Sequence, residues 1–295
     1  MDGILRWGAD VVVWMQQASP SLDGFFKALT FLGSQEFYLL LLPLVYWSVD
    51  RVLGVRLMAL LIFSALINTV VKVIAGQPRP YAYDGRVKAI ATESSHGFPS
   101  AHTQNAAAVW GLVASRVRRG WLWSFALAFT VAIGVSRVYL GVHFPTDVLG
   151  GLVIGAVVLW LFLRGRRPVE QWFCALRLPV QLALVAVVPL VVLAFQHTED
   201  VVTGVGATLG VAVGFVLERD LIGFETAGSV VHRVMRFVIG GVVLFGLWAG
   251  LRTLFAGVEP ALLLRLVRYA LVGAWVALGA PWLFLRVGIA GQKPA

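Results

Sequence analysis

Long apolar runs alternate with short polar segments along most of this 295-residue chain. A membrane-spanning helix needs about 20 consecutive, mostly apolar residues, and runs close to that length recur from residue 35 onward. The pattern predicts about nine spanning helices, at residues 35–49, 54–75, 99–116, 121–139, 146–163, 179–196, 201–217, 234–255 and 262–286. The expected fold class is therefore all-α, a polytopic membrane helical bundle.

The first 34 residues follow a different pattern. Their two apolar stretches, residues 4–17 and 21–33, are interrupted by charges such as Asp10 and Lys27. Interrupted stretches of this kind predict amphipathic or re-entrant helices at a membrane surface. A second change of pattern is the basic linker at residues 164–178. We therefore expect three regions: N-terminal amphipathic or re-entrant helices at 1–34, a membrane core that carries the polar motifs at 35–165, and accessory C-terminal transmembrane helices at 166–295.

The composition agrees with a membrane protein. Hydrophobic residues make up 59% of the chain and charged residues 13%, against roughly 25% charged residues in soluble domains. In a soluble protein the net charge of +9 would suggest a nucleic-acid partner. Here most arginines lie in short loops between apolar runs, where membrane topology accounts for them. We therefore expect no nucleic-acid partner and expect membrane lipids around the chain.

The arginines also predict an orientation. Loops rich in Lys and Arg stay in the cytoplasm, and one side of the predicted bundle holds Arg51, Arg56, Arg116, Arg118, Arg119, Arg164, Arg166, Arg167 and Arg177. This side is predicted to be cytoplasmic, together with the C-terminus. The opposite side, with the N-terminus and the polar loop at 76–98, is predicted to be extracytoplasmic. The expected location is the plasma (inner) membrane.

Three polar segments fall on the predicted extracytoplasmic side. They are Lys72–Pro80, Pro99–His102 and Ser136–Asp147. Charged and polar groups within or at the edge of a bilayer are costly and are usually functional. Because segments far apart in sequence meet at one membrane face, we expect them to form one site.

The residue types in these segments favour the binding of a phosphate group. Lys72, Arg79 and Arg137 supply positive charge, and the planar guanidinium matches phosphate oxygens. Ser100 opens a predicted helix, whose free backbone N–H groups attract anions. Because three cations can take over the charge of a metal ion, we expect neither a metal nor another cofactor.

The remaining groups can carry the chemistry. His143 precedes Asp147 by four residues, so this carboxylate can accept a hydrogen bond from one ring nitrogen and leave the other free to attack phosphorus. His102 is then the general acid. We expect a transient phosphohistidine that water hydrolyses.

These segments resemble the three motifs of the type 2 phosphatidic acid phosphatase superfamily over residues 54–163. The family's first motif is Lys, six residues, then Arg-Pro; the second is Pro-Ser-Gly-His; the third is Ser-Arg, five residues, His, three residues, Asp. This sequence matches them with Lys72 and Arg79-Pro80, with Pro99-Ser100-Ala101-His102, and with Ser136-Arg137, His143 and Asp147. The resemblance implies a core of the acid phosphatase/vanadium haloperoxidase type.

The resemblance also implies a role for each matching residue. His143 would be the nucleophile, Asp147 its partner and His102 the acid. The phosphate ligands would be Lys72, Arg79, Ser100, Ala101 and Arg137. Ala101 departs from the family's Gly: it keeps the backbone N–H but adds a methyl group where the phosphate approaches.

Several functions stay open at this stage. The expected partner is a lipid phosphate or pyrophosphate, such as phosphatidate or undecaprenyl pyrophosphate, hydrolysed at the outer membrane face. The layout of spans also resembles the glucose-6-phosphatase and sphingosine-phosphate phosphatase branches, so a soluble sugar phosphate is an alternative. A lipid phosphotransferase and a non-catalytic lipid-phosphate transporter are two others.

Rows of glycines in the second half predict close helix contacts. Gly206, Gly210 and Gly214 are four residues apart, as are Gly246 and Gly250. Such small-residue rows let two helix backbones approach closely. They predict packing within the chain or, alternatively, a homodimer through the C-terminal helices.

Overall fold

The computed structural model describes residues 2–195, 197–258 and 260–292. Helices dominate this part of the chain. In order they are α1 (Asp2–Met15), α2 (Asp23–Phe31), α3 (Gln35–Leu44), α4 (Arg51–Ala75), α5 (Pro80–Tyr83), α6 (Ala101–Val117), α7 (Gly120–Tyr139), α8 (Pro145–Ala175), α9 (Leu178–Phe195), α10 (Glu199–Leu221), α11 (Val230–Leu254), α12 (Ala261–Ala274) and α13 (Ala280–Arg286). Two short antiparallel strands, β1 (Phe224–Glu225) and β2 (Gly291–Gln292), pair near the end of the chain.

Seven helical stretches in the described residues are long and apolar enough to cross a membrane. They are Arg51–Tyr83, Gly120–Tyr139, Pro145–Ala175, Leu178–Phe195, Val201–Leu221, Val230–Leu254 and Ala261–Arg286. An eighth results if Asp23–Phe31 and Gln35–Val49, which are bent by 44° at their junction, form one broken span. The all-α membrane bundle is confirmed.

The predicted count of about nine spans is not confirmed. The predicted third span corresponds to α6, which has 17 residues and is not among the seven stretches. At 1.5 Å per residue it is about 26 Å long, shorter than a typical hydrocarbon core of about 30 Å. The predicted first span is part of the bent pair.

The chain folds into two compact units, residues 1–42 with 56–166 and residues 43–55 with 167–295. All three polar motifs lie in the first unit. There the buried residues Leu5, Ala9 and Val12 of α1 form one apolar cluster with Val138 of α7 and with Phe144. The inner face of this N-terminal amphipathic helix therefore covers the loop between α7 and α8.

Within the first unit, α6 and α8 pack closely through two glycines of α8. A Cβ atom at Gly151 would stand 2.6 Å from the carbonyl oxygen of Ser100, and one at Gly155 would stand 2.6 Å from that of Gln104. Real Cβ atoms do not approach backbone this closely, so a side chain at either position would push the helices apart. Because Ser100 precedes α6 and Gly151 lies in the second turn of α8, this contact fixes the starts of the two helices relative to each other.

In the second unit, α10 packs against α12 through the glycine row identified in the sequence. A Cβ atom at Gly206 would stand 2.6 Å from the carbonyl oxygen of Leu266, and one at Gly210 only 2.0 Å from that of Ala270. α12 of the same chain therefore packs against this glycine row, whereas the homodimer stays a prediction.

A buried carboxylate also lies in the second unit. The fully buried Glu218 accepts hydrogen bonds from Arg51 Nε at 3.1 Å and from the backbone N–H of Phe224 at 2.7 Å.

The contact between α6 and α8 yields a stability prediction with an internal control. Gly155→Ala should lower the melting temperature in detergent, because the clash with the Gln104 carbonyl outweighs the gain in helix propensity of about 1 kcal/mol. Gly165→Ala, in the same helix, is the matched control, since a Cβ atom at that position would have no neighbour within 4 Å. It should leave the melting temperature unchanged or raise it. Equal responses of the two variants would contradict the packing.

Candidate active site

A buried histidine–carboxylate pair lies where α7 gives way to α8. His143 occupies the connecting loop, and Asp147 lies in the first turn of α8; their side chains are 2% and 0% exposed. His143 Nδ1 is 3.2 Å from Asp147 Oδ2. Because an ionised carboxylate can only accept hydrogen bonds, Nδ1 carries the proton of the neutral ring and Nε2 keeps its lone pair.

Further donors fix the carboxylate of Asp147. The backbone N–H of Phe144 donates to Oδ2 at 2.9 Å, and the Gln77 side-chain amide donates to Oδ1 at 2.6 Å. The backbone carbonyl oxygen of Asp147 accepts from the N–H of Ser100 at 3.0 Å. Asp147 therefore connects all three motifs, since Gln77 lies in the first, Ser100 in the second and His143 in the third.

The surroundings keep the His143 ring neutral. Burial lowers the pKa of His143 well below its usual range, and the positive charges of Arg137, Arg79, Lys72 and His102 lower it further. The Nε2 atom is 3.4 Å from Nη1 of Arg79. At neutral pH this nitrogen is therefore unprotonated, and its lone pair faces a region of positive charge. A nucleophile toward phosphorus needs such a free lone pair.

Arg79 is held by backbone and hydroxyl oxygens. Its Nε donates to the carbonyl oxygen of Ser95 at 2.7 Å and its Nη1 to that of Val142 at 2.8 Å. Nη2 reaches Ser95 Oγ at 3.2 Å. These neutral acceptors orient the guanidinium without cancelling its charge.

Lys72 and Arg137 lie in the last turns of their helices, and both contact the loop at residues 93–96. Lys72, in the last turn of α4, donates to the carbonyl oxygen of His96. Arg137, in the last turn of α7, donates from Nη1 to Thr30 Oγ1 at 2.9 Å and from Nη2 to the carboxylate of Glu93. The three cations of the predicted site are thus all present, and one of them is already paired with an anion.

The second motif forms the start of α6 as expected. Ser100 caps the helix, its buried Oγ accepting from Thr103 N at 3.4 Å and from Thr103 Oγ1 at 3.0 Å. Ala101 and His102 occupy the first turn. His102 lies against Gly33, where a Cβ atom would stand 3.3 Å from its Cδ2. The charge of this histidine is close enough to lower the pKa of His143.

A cavity of about 490 Å³ adjoins these residues. Of the eight predicted site residues, all of which lie in the described part of the chain, three line this cavity, namely Lys72, Arg79 and Ala101. The other five are not part of its lining: Ser100, His102, Arg137, His143 and Asp147. The remaining lining combines polar and apolar residues, namely Asn68, Thr69, Val73, Gln77, Pro78, Tyr81, Ala82, Glu93, Ser94, Ser95 and His96.

Several residues that support the site were missed in the sequence. Gln77 and Glu93 each contact a predicted site residue directly. Behind the second motif, Asn68 Nδ2 donates to Gln104 Oε1 at 2.8 Å, and Gln104 Nε2 donates to the Ser64 carbonyl at 2.8 Å. Ser64 and Asn68 stand four residues apart in an otherwise apolar span, a spacing that could have revealed this network.

The described residues contain no group of three or more His, Cys, Asp or Glu side chains that could hold a metal ion.

Comparisons with known proteins agree with this arrangement. Residues 53–170 match the PAP2 superfamily, and residues 202–292 match a family described as PAP2 superfamily phosphatase, transmembrane extension. Phosphatidylglycerophosphatase B from Bacillus subtilis (strain 168) is 34% identical over 158 residues, which cover 48% of this chain and 74% of that protein. Lipid phosphate phosphatase delta from Arabidopsis thaliana is 30% identical over 172 residues, covering 53% and 41%.

Among solved structures, the PAP2-type phosphatidylglycerolphosphate phosphatase of Bacillus subtilis is 27% identical, and the match covers 54% of this chain and 86% of that one with a TM-score of 0.45. The chain spans about half the length of several curated relatives that it matches. The family matches cover both the motif-bearing first half and most of the second half. On this evidence the chain belongs to the PAP2 superfamily.

Proposed function

We propose that this protein is an integral membrane phosphatase that hydrolyses a phosphate monoester or pyrophosphate of a lipid through a phosphohistidine intermediate. The observation that carries the proposal is the buried His143–Asp147 pair with three cations around it. A transporter or binding protein would need the cations but not a neutral histidine held by a carboxylate. The superfamily relatives with phosphatase names support the same reaction class.

In the first step, Nε2 of His143 attacks phosphorus and the bond from phosphorus to the leaving oxygen breaks. Asp147 holds Nδ1 and stabilises the positive charge that develops on the ring. Lys72, Arg79 and Arg137, with the N–H groups at the start of α6, stabilise the phosphoryl oxygens in the transition state. His102 acts as the general acid and gives a proton to the leaving oxygen. Burial, together with Arg137, Arg79 and Lys72, lowers the pKa of His102 well below its usual range, so it takes up this proton only when the negative charge of the phosphate lies beside it.

In the second step, water attacks phosphorus of the phosphohistidine and the P–N bond breaks. His102 now takes the proton from water, so it returns to its protonated form. Inorganic phosphate leaves, and His143 is again neutral. The sum of both steps is hydrolysis of one phosphate ester bond by one water molecule.

A lipid is the favoured substrate. The first and third motifs lie at the ends of candidate membrane spans, at the depth of lipid headgroups, and the names of two relatives refer to lipid phosphates. Polar side chains in the lining of the 490 Å³ cavity, among them Asn68, Ser94 and Ser95, favour a second candidate, a soluble sugar phosphate whose hydroxyls bond to these side chains. Phosphate release from a panel of lipid phosphates, lipid pyrophosphates and sugar phosphates in detergent separates the two.

The first prediction from this mechanism concerns the two histidines. His143→Ala should lower kcat by at least about 1,000-fold, since it removes the nucleophile. His102→Ala should strongly lower the rate of hydrolysis of a lipid phosphate. It should only weakly lower that of p-nitrophenyl phosphate, because nitrophenolate is a good leaving group without a proton. His197→Ala, at an exposed histidine of the other unit, is the control and should retain activity. Near-native turnover by His143→Ala in a folded sample would rule out the assignment.

A second prediction concerns metal ions. Because three cations already stabilise the phosphate charge, activity should persist in EDTA within about twofold. The measurement is phosphate release by protein purified and assayed with the chelator, with and without added Mg²⁺. Activity that disappears in EDTA and returns with Mg²⁺ would contradict metal independence.

A third prediction concerns orientation. We propose that the site faces the extracytoplasmic side and that the C-terminus is cytoplasmic. Gly85 is exposed in the loop that follows α5, with no neighbour within 4 Å of a Cβ atom. In a Cys174→Ser background, Gly85→Cys should react with a membrane-impermeant thiol reagent in intact cells.

The native cysteine provides the matched control. Cys174 is exposed and lies in the Arg-rich segment predicted to be cytoplasmic, so the unaltered chain should react only after permeabilisation. The reverse labelling pattern would place the site in the cytoplasm.

A further inference from the structure

The three cations of the site are contacted by one short segment, residues 93–96. The carboxylate of Glu93 accepts a hydrogen bond from Arg137. The carbonyl and hydroxyl oxygens of Ser95 accept from Arg79, and the carbonyl oxygen of His96 accepts from Lys72. Carbonyl and hydroxyl oxygens are neutral, so they orient a cation and leave its charge available. Glu93 differs because it brings a negative charge to a position where a phosphate would bind.

The contact with Glu93 uses only one of the two neighbouring donors, Nε and Nη2, on one edge of the Arg137 guanidinium. Nη1 donates to Thr30 and Nη2 to Oε1 of Glu93. The buried Nε has no hydrogen-bond partner among the described residues. A guanidinium binds carboxylate or phosphate best through two parallel N–H donors, and burying an unpaired donor is costly. A phosphate that bonded to Nε and Nη2 together would therefore replace a single contact by a bidentate one.

Glu93 can give up this contact without unfolding the segment. Its backbone is tied to α5, since the Tyr81 hydroxyl donates to the Glu93 carbonyl at 3.0 Å and accepts from the Glu93 N–H at 3.4 Å. Its side chain is 34% exposed and lines the 490 Å³ cavity together with Lys72 and Arg79. A rotation of the side chain alone would move the carboxylate from Arg137 into this cavity.

We propose that Glu93 is a specificity-determining residue: its carboxylate occupies Arg137 until a single phosphate group displaces it, and then repels a second phosphate. This inference rests on the proposed phosphatase function. It narrows the substrate class to phosphate monoesters, in preference to lipid pyrophosphates.

The charge balance gives the physical reason. Five charged side chains surround the site: Lys72, Arg79, Arg137, Asp147 and Glu93. Three positive charges minus two negative charges leave one positive charge, and the proton that His102 holds during the reaction adds a second, against up to about two negative charges on a phosphate monoester. A pyrophosphate brings further negative charge next to the displaced Glu93, and like charges at close range in a partly buried site repel.

The test compares Glu93→Gln with Asp10→Asn. Gln keeps the size of the side chain and removes its charge. Asp10→Asn removes a carboxylate that pairs with Arg86 on the surface of the same unit. In Glu93→Gln, the inhibition constant of inorganic phosphate should fall about three- to tenfold, because the anion no longer competes with a carboxylate. The ratio of kcat/KM for a lipid pyrophosphate to that for the monophosphate of the same lipid should rise by a similar factor, whereas Asp10→Asn should change neither.

Two results would overturn the inference. A higher inhibition constant for phosphate, with both substrates slowed alike, would mean that Glu93 only positions Arg137. An unchanged ratio between the two substrates would remove its role in selectivity. If the wild type hydrolyses no member of the panel, the proposed function fails instead. Thermal stabilisation of the two proteins by inorganic phosphate still compares their anion affinities without turnover.

A measurement on the unaltered chain covers the case in which Glu93→Gln does not fold. In the wild type, inorganic pyrophosphate should stabilise the protein or inhibit hydrolysis more weakly than inorganic phosphate, despite its greater charge. Stronger action of pyrophosphate would overturn the inference.

Discussion

The site depends on one buried carboxylate that has to be fully hydrogen-bonded. Asp147 has no exposed surface, and an ionised group can be buried only if other groups replace the water it loses. Its acceptors are used by the His143 ring, the Phe144 N–H and the Gln77 amide, while its carbonyl oxygen binds the Ser100 N–H. The hydrogen bonds of this one residue therefore bring together the segment after α4, the loop after α7 and the starts of α6 and α8.

The clustering of cations imposes the next constraint. Lys72, Arg79 and Arg137 would repel one another if they were left bare in a partly buried site. Neutral oxygens from residues 95 and 96 and from Val142 orient two of them, and the Glu93 carboxylate neutralises the third. Of these contacts, the one from Glu93 carries a negative charge, as a phosphate ester does. The same requirement for stability would favour one phosphate over two.

Rigid packing holds these groups in place. Gly151 and Gly155 allow α8 to rest on the backbone of α6, so the caps and first turns that carry Ser100, His102 and Asp147 cannot move independently. The apolar face of α1 covers Phe144, the neighbour of His143 in sequence. Catalysis by preorganised charges requires this rigidity, because groups that must reorient during the reaction lose much of their effect.

The sequence alone determined the fold class of the protein and supplied the candidate residues of the site. Apolar runs predict membrane helices because the bilayer offers no hydrogen bonds to the backbone, and the three motifs mark the positions where polar groups are retained at that cost. Their spacing also predicted local features, such as the contact of His143 with Asp147 four residues later and the position of Ser100 at the start of a helix. These contacts lie within a few residues, so local geometry specifies them.

Only the tertiary structure revealed the partners that come from elsewhere in the chain. Gln77 meets Asp147 from 70 residues away, Glu93 meets Arg137 from 44 and Thr30 meets Arg137 from 107. Nothing in the local pattern of a loop glutamate distinguishes it from a solvated one, because its role depends on where the fold places it. The hydropathy pattern likewise could not give the number of spans. It records the length of apolar runs, but not the 44° bend between α2 and α3 or the 17-residue length of α6.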